Sequence, residues 1–131
     1  MQTIPVGARG SVTLQVMPEH LANRVKDAIL PPVLATPVMV LIMENAALAA
    51  IRPYLEPGES AVGTAIDVRH LAATPQGHRV TAEAEVIAVE GRKIRLKVSA
   101  RDEIEDIGSG THERMVVDLD RLNKRLAAKS R

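Results

Sequence analysis

The chain has 131 residues, the length of one domain with a single hydrophobic core, so we expect one domain over 1–131. Hydrophobic residues make up 46% and charged residues 25%, which excludes disorder as the main state. The formal net charge is +1, so the chain lacks the strong positive charge of a nucleic-acid-binding protein.

The residue types that are absent narrow the function further. With no Phe or Trp and a single Tyr, Tyr54, the chain cannot build the aromatic platforms that stack bases. With no Cys it has no thiolate nucleophile, no disulfide and no Cys-ligated metal site. Residues 1–30 show no signal peptide. We therefore expect a soluble, cytoplasmic protein without a nucleic-acid partner.

The first half of the chain predicts a strand and a long helix. Ser11–Val16 alternates apolar and polar residues, as a strand does. Residues 19–30 indicate a short helix or an irregular lid. Thr36 and Pro37 are typical of a helix start, with Thr36 as the N-cap, and the helix Pro37–Arg52 ends before Pro53. This helix is apolar on most sides, which predicts burial, and its apolar run is shorter than the ~20 residues that span a membrane.

The second half predicts four strands and a terminal helix. The strands cover 60–71, 79–89, 92–101 and Thr111–Val117, and a basic amphipathic helix covers Arg121–Lys129. Alternation in the first of these strands puts Gly63 on one face and His70 on the other. Because short turns join successive strands, neighbours along the chain are expected to pair antiparallel. The predicted class is α+β: a long central helix wrapped by a curved antiparallel five-stranded sheet.

Glu44 is the most informative single residue. Its neighbours at three, four and seven positions along the helix are all apolar. A buried, unpaired carboxylate is costly, so Glu44 must be paired, protonated or placed at a cleft. Such a group suits a general base or a nucleophile. The same pattern is also compatible with a structural Glu44 that is paired to an Arg, or with an exposed Glu44 on a narrow solvent-accessible stripe of the helix.

Other candidate residues have structural explanations beside functional ones. His70 lies at the end of the apolar face of its strand. It can be a structural histidine of the core or the sheet edge, or it can be a catalytic residue. Gly63 within a strand implies a bulge or a close approach of the backbone. An ion pair would explain Arg114. The remaining histidines lack the spacing of metal ligands, so no metal site is expected; these are His20, His78 and His112.

Six short segments together resemble a known family. They occur in order and at similar spacing over roughly residues 5–118, and they are Ala35–Pro37, Glu44–Ala47, Val62–Thr64, His70, Thr74–Gly77 and Gly108–Arg114. As a set they resemble the hotdog-fold acyl-CoA thioesterases, in particular the fluoroacetyl-CoA thioesterase-like family.

The resemblance implies a hotdog fold, in which the sheet wraps the long helix. It implies a homodimer with active sites at the subunit interface, an acyl-CoA substrate, and no cofactor apart from the coenzyme A of that substrate. The family's catalytic residues fall on Thr36 as a hydrogen-bonding partner, Glu44 as base or nucleophile and His70 as proton shuttle. The residues that place the acyl group fall on Gly63 and Arg114.

The chain departs from the family pattern in its lid. Members specific for fluoroacetate cover the acyl pocket with phenylalanines, whereas the lid region here, around Asp27–Val33, offers Ile29, Leu30 and Val33. The resemblance therefore predicts thioesterase chemistry without predicting fluoroacetyl specificity.

Two rival functions and one geometric hypothesis remain open at this point. A hotdog hydratase would carry Asn-Pro shortly before its histidine, but Asp67, Val68 and Arg69 precede His70. A dimeric acyl-CoA or small-acid binding module, with a purely structural Glu44, is the second rival. Thr36 and Glu44 lie eight residues apart, ~12 Å along a helix axis, so they cannot touch within one straight helix. Either Thr36 lies on a loop that folds back, or the site combines residues of two subunits. The interfacial sites that the resemblance implies favour the second hypothesis.

Overall fold

The structure is a computed structural model that describes residues 1–130. Its elements, in chain order, are β1 (Arg9–Gln15), a 3₁₀ turn (Pro18–His20), α1 (Ala22–Val25), α2 (Thr36–Ile51), a 3₁₀ turn (Arg52–Tyr54), β2 (Glu59–His70), β3 (Arg79–Glu90), β4 (Lys93–Arg101), β5 (Asp106–Asp118) and α3 (Leu119–Lys129). No described helix is long and apolar enough to cross a membrane.

The five strands form one antiparallel sheet in the order β1-β3-β4-β5-β2. The predicted neighbours β3, β4 and β5 pair as expected, but the expected pairing of β2 with β3 is wrong: β2 pairs with β5. The connecting segment around Thr74–Gly77 makes no hairpin, because Leu34 N–H donates to the Thr74 carbonyl and Gly77 N–H donates to the Val16 carbonyl. β2 is therefore an edge strand of the described sheet.

Helix α2 packs on the sheet and contacts all five strands, mainly β1 and β3. Its buried side chains form the core with the inward residues of the sheet; they are Met39, Ile42, Met43, Ala46, Ala47, Ala50 and Ile51. The expectation of burial on most sides holds only in part, because Leu41, Asn45 and Ala49 are exposed along one stripe. Glu44 lies at the border of this stripe and is half-buried.

The start of α2 differs from its prediction. Ala35 occupies the N-cap position and Thr36 is the first helical residue, so Thr36 is not the N-cap. The Ala35 carbonyl accepts the first helical hydrogen bonds, from Val38 and Met39. The Thr36 hydroxyl is instead engaged by a residue of β2, described below.

Two glycines explain where β1 and β5 differ from their predicted bounds. β1 begins two residues earlier than expected, at Arg9, and a Cβ at Gly10 would overlap the Ala46 carbonyl of α2. β5 begins at Asp106 rather than Thr111 and runs through Gly110, where a Cβ would overlap the Asp67 carbonyl of β2. Both glycines thus permit close packing within a strand.

Candidate active site

The first group of candidate residues joins the start of α2 to the end of β2. Thr36 Oγ1 and His70 Nδ1 share a hydrogen bond of 2.7 Å. His70 Nε2 is buried and has no hydrogen-bond partner among the described residues. We call these two residues the Thr36–His70 pair. Its free ring nitrogen remains available to a substrate or a water molecule.

A cavity of about 360 Å³ adjoins the Thr36–His70 pair. Besides the pair, its lining includes Leu30 and Val33 from the predicted lid. Ile29, the third lid residue, is 87% exposed and does not line the cavity. The lid residues that line it are aliphatic, and Lys26 adds a charged side chain to the wall. A larger cavity of about 490 Å³ lies over β1, β3 and β4, away from all five candidate residues.

The second group surrounds Glu44 at the middle of α2. A methyl group on Gly63 would lie 2.7 Å from Glu44 Oε1, 3.2 Å from His112 Cε1 and 3.6 Å from Arg114 Nη1. We call these four residues the Glu44 cluster. Glycine at position 63 therefore leaves the space that the Glu44 carboxylate occupies, consistent with the close approach that the sequence predicted.

Hydrogen bonds fix the guanidinium of Arg114 within the Glu44 cluster. Arg114 Nη2 donates to the Ala61 carbonyl at 2.6 Å, and Nη1 donates to His112 Nε2 at 3.0 Å and to the Glu44 backbone carbonyl at 3.4 Å. Arg114 is 7% exposed. The ion-pair explanation is therefore wrong for the described residues, because all three hydrogen bonds of Arg114 go to neutral acceptors and none goes to a carboxylate.

A bulge in β2 brings both groups to the same face of the sheet. Gly63 pairs with Arg114 and His70 pairs with Gly108, but Thr64 is skipped in the register between Gly63 and Ala65. Directly paired residues share a face. The extra residue reverses the alternation, so Gly63 and His70, seven positions apart, both face α2. The predicted placement of these two residues on opposite faces is wrong for this reason.

The two groups remain apart within one protomer. Thr36 and Glu44 lie on one continuous helix, ~12 Å apart along its axis. Gly63 and His70 lie on one strand, ~20 Å apart. The structure thus brings Thr36 to His70, and Glu44 to Gly63 and Arg114. It does not bring Glu44 to the Thr36–His70 pair within a single chain.

Burial controls the electrostatics of both groups. Burial lowers the pKa of His70, opposed by a hydrogen bond with the Ala72 backbone. Burial also lowers the pKa of His112; the Arg114 charge acts in the same direction, whereas the bond to Ala65 and the Glu44 charge oppose it. Burial lowers the pKa of Arg114, and the Glu44 carboxylate opposes this. Both histidines are thereby held neutral at pH 7.

Sequence reasoning did not assign His112 to the site. It was considered only as a metal ligand, yet it is 1% exposed and bonded to Arg114. A signal was present: His112 and Arg114 are two positions apart on a strand and so share a face. Among residues 1–130 no group of three or more His, Asp or Glu side chains is arranged to hold a metal ion.

The comparisons with known proteins agree with one family. Residues 16–120 match the family model described as fluoroacetyl-CoA-specific thioesterase. Over 100 residues the chain is 52% identical to the fluoroacetyl-CoA thioesterase of Streptantibioticus cattleyicolor, covering 76% of this chain and 72% of that enzyme. The chain belongs to the fluoroacetyl-CoA-specific thioesterase family.

Solved structures place this family member in the hotdog thioesterase fold. A fluoroacetyl-CoA thioesterase structure superposes with a TM-score of 0.92 at 44% identity and covers 98% of both chains. A thioesterase superfamily member from Thermus thermophilus superposes with a TM-score of 0.93 at 30% identity, over 99% of this chain and 96% of that one. The predicted α+β hotdog class is confirmed, as is the expectation of a thioesterase-like hydrolase.

Proposed function

We propose that this protein hydrolyses the thioester of a small acyl-CoA at a site assembled from two copies of the chain. Membership of the thioesterase family supports the reaction class. The single observation that supports this site is the presence, on one face of the sheet, of two separate groups of residues: the Thr36–His70 pair and the Glu44 cluster.

Thioester hydrolysis requires three kinds of catalytic group. Water is added across the acyl carbon–sulfur bond: a carbon–oxygen bond forms, the carbon–sulfur bond breaks, and the sulfur leaves as the thiol of coenzyme A. A nucleophile or base, a proton carrier and a group that stabilises charge on the carbonyl oxygen are needed. Protein side chains can provide all three groups, so we propose no cofactor apart from the substrate's own coenzyme A.

Each candidate residue has a role that its contacts support. Glu44 attacks the carbonyl carbon or activates the water that does so. Arg114 contacts Glu44 through the Glu44 backbone carbonyl and places a positive charge in the same cluster. Gly63 leaves room beside that carboxylate for the acyl group. His70, held through Nδ1 by Thr36, receives at its unpartnered Nε2 a proton that comes from the attacking water and passes it to the leaving sulfur.

The exposed edge of the sheet supports the homodimer. β2 is a twelve-residue edge strand, and Val62 and Ile66 on it are 38% and 40% exposed. A long edge strand is a template for pairing with another chain. A two-fold axis near the middle of β2 would set His70 of one subunit opposite the region around Gly63 of the other. The Thr36–His70 pair would then meet the Glu44 cluster across the interface.

The substrate class is tested with a panel of acyl-CoA esters from acetyl to long chains, plus fluoroacetyl-CoA. Released thiol is followed with a thiol-reactive dye, and the protein adds no background because it has no cysteine. We expect turnover of short chains, and discrimination between fluoroacetyl- and acetyl-CoA below about tenfold because the lid is aliphatic. Binding without turnover across the panel would instead support the acyl-CoA binding module.

The shared site is tested by subunit complementation. Glu44→Gln and His70→Ala are each expected to be inactive alone. Co-refolded, they form mixed dimers in which one of the two sites has both Glu44 and His70 intact. Random pairing should restore about a quarter of wild-type activity. Sites confined to one subunit would give no recovery, since every site in the mixture would lack one residue.

A further inference from the structure

His112 is a buried group to which the reaction outlined above gives no role. It is 1% exposed and among the largest fully buried side chains. It faces the site from β5, two residues before Arg114, and its Cε1 lies beside the space left by Gly63. A buried polar side chain that touches a candidate site requires a physical explanation.

The hydrogen bonds of His112 define its protonation state. Its Nδ1 lies 2.7 Å from the Ala65 carbonyl, which can only accept, so Nδ1 carries the proton. Its Nε2 lies 3.0 Å from Arg114 Nη1, which can only donate, so Nε2 must present a lone pair. Only the neutral Nδ1–H tautomer makes both bonds.

The two bonds connect the bulge of β2 to the guanidinium. Ala65 is the first residue after the skipped Thr64, so His112 is fixed to the point where the strand reverses its alternation. Through Nε2 it then provides one of the acceptors that hold Arg114 beside Glu44. The remaining acceptors are the carbonyls of Ala61 and Glu44.

We propose that His112 is a positioning residue: it fixes the Arg114 guanidinium against Glu44 by accepting a hydrogen bond from Nη1 while its other nitrogen is anchored to the β2 bulge. The proposal rests on the proposed thioesterase function. In this scheme His112 neither forms a bond to the substrate nor transfers a proton. Its loss should therefore lower kcat through a displaced Arg114 and leave substrate binding nearly intact.

Two substitutions separate the two hydrogen bonds. In His112→Gln the amide oxygen can reach the position of Nε2 and accept from Arg114. In His112→Asn the shorter amide can mimic Nδ1 and donate to Ala65, but it leaves Arg114 Nη1 without that acceptor. We expect Asn to lower kcat about 10- to 100-fold with KM changed less than threefold, and Gln to stay within about threefold of wild type. Equal losses in both variants would overturn the proposal.

The pH profile gives a second readout. Arg114 on β5 and Glu44 on α2 are the charged groups that face His112, while β2 and β4 face it with Ile66 and Leu96, which do not titrate. Protonation of Nε2 would remove the acceptor from Arg114, so acid should lower kcat. In His112→Gln this contribution should vanish and that of His70 should remain. An acid limb unchanged in His112→Gln would contradict the proposal.

Coupling and tautomer complete the test. If His112 acts through Arg114, His112→Asn should lower kcat far less in an Arg114→Lys background than in wild type. Additive losses of kcat would refute this.

The tautomer of His112 is measured by ¹⁵N NMR on the wild-type protein without substrate. A proton on Nε2 at pH 7 would overturn the proposal. The NMR measurement tests the role of His112 even if the protein hydrolyses no acyl-CoA. Failure of the proposed thioesterase function would show instead as absence of turnover by the wild-type protein.

Discussion

The Thr36–His70 pair and the Glu44 cluster face the same side of the sheet but depend on different kinds of structure. The pair joins an exposed threonine on the first turn of α2 to a half-buried histidine at the end of an edge strand. The cluster is set in the sheet and the middle of the helix, and His112 and Arg114 are nearly fully buried there. The pair has one side-chain hydrogen bond, whereas the cluster has a network.

This difference predicts how each group responds to substitution. In the cluster a change leaves buried polar groups without partners, so activity and stability should fall together. In the pair Thr36 is exposed and His70 is half-buried, so activity should fall with a smaller change in stability. The comparison can therefore be tested by measuring kcat and the free energy of unfolding on the same variants.

Glu44→Gln should have the largest effect. The amide keeps the shape of the side chain but cannot act as base or nucleophile, so kcat should fall about 10³-fold. It also leaves the buried Arg114 charge without its carboxylate, which should lower the unfolding temperature. The panel of acyl-CoA esters and a thermal melt provide both measurements.

Glu90→Gln is the matched control for Glu44→Gln, because Glu90 is exposed at the end of β3. This variant should leave both kcat and the unfolding temperature unchanged. Full activity in Glu44→Gln would refute the catalytic role and leave Glu44 as a structural acid.

Gly63→Ala should follow, with kcat lowered about 100-fold by displacement of a catalytic group. The new methyl would lie 2.7 Å from Glu44 Oε1, so the carboxylate must move. Because His112 and Arg114 beside it are nearly fully buried, the unfolding temperature should fall too. Ser60→Ala, on the same strand, adds no bulk and serves as the control. Wild-type kcat in Gly63→Ala would show that the carboxylate position is not critical.

Much of the fold follows from local pattern in the sequence. Apolar periodicity and the prolines located α2 within one residue at each end, and alternation located β3 and β4. The pairing of β2 with β5 did not follow, because strand order depends on where connections attach. The segment around Thr74–Gly77 is attached to Leu34 and Val16, which are distant in the sequence.

The site was harder to predict because one skipped residue changes its geometry. A period of two put Gly63 and His70 on opposite faces, and the bulge at Thr64 puts them on one. The role of Thr36 was also misjudged: capping is the local explanation, but contact with His70 depends on tertiary structure. The residue pattern singled out Glu44, His70, Gly63 and Arg114, and the resemblance assigned them roles, but how they combine required coordinates.

Thr36→Val should show the response expected of the Thr36–His70 pair, with a loss of activity and little change in stability. Valine keeps the branched shape and removes the hydroxyl that holds His70 Nδ1, so kcat should fall about 10- to 100-fold. Since Thr36 is exposed and is not the N-cap, the free energy of unfolding should change by less than ~0.5 kcal/mol, whereas loss of a true N-cap costs ~1 kcal/mol.

Thr36→Ser keeps the hydroxyl and is the matched control for Thr36→Val, with kcat expected within about threefold of wild type. A marked loss of stability in Thr36→Val would contradict the contrast between the two groups. Activity at the wild-type level in Thr36→Val would remove Thr36 from the site.

The smallest effect should appear in the pH dependence of stability. The pKa values of His70 and His112 are lowered from 6.5 by burial, so below that pH the unfolded chain binds more protons than the folded protein. The contribution of these two histidines to the free energy of unfolding is fully present above pH 6.5 and is lost as the pH falls toward each folded-state pKa.

Denaturant unfolding between pH 7.5 and 5 should therefore show the free energy of unfolding declining as the pH falls. His70→Asn and His112→Gln should each flatten this decline. A decline that persists unchanged in both variants would show that neither histidine is kept neutral by folding.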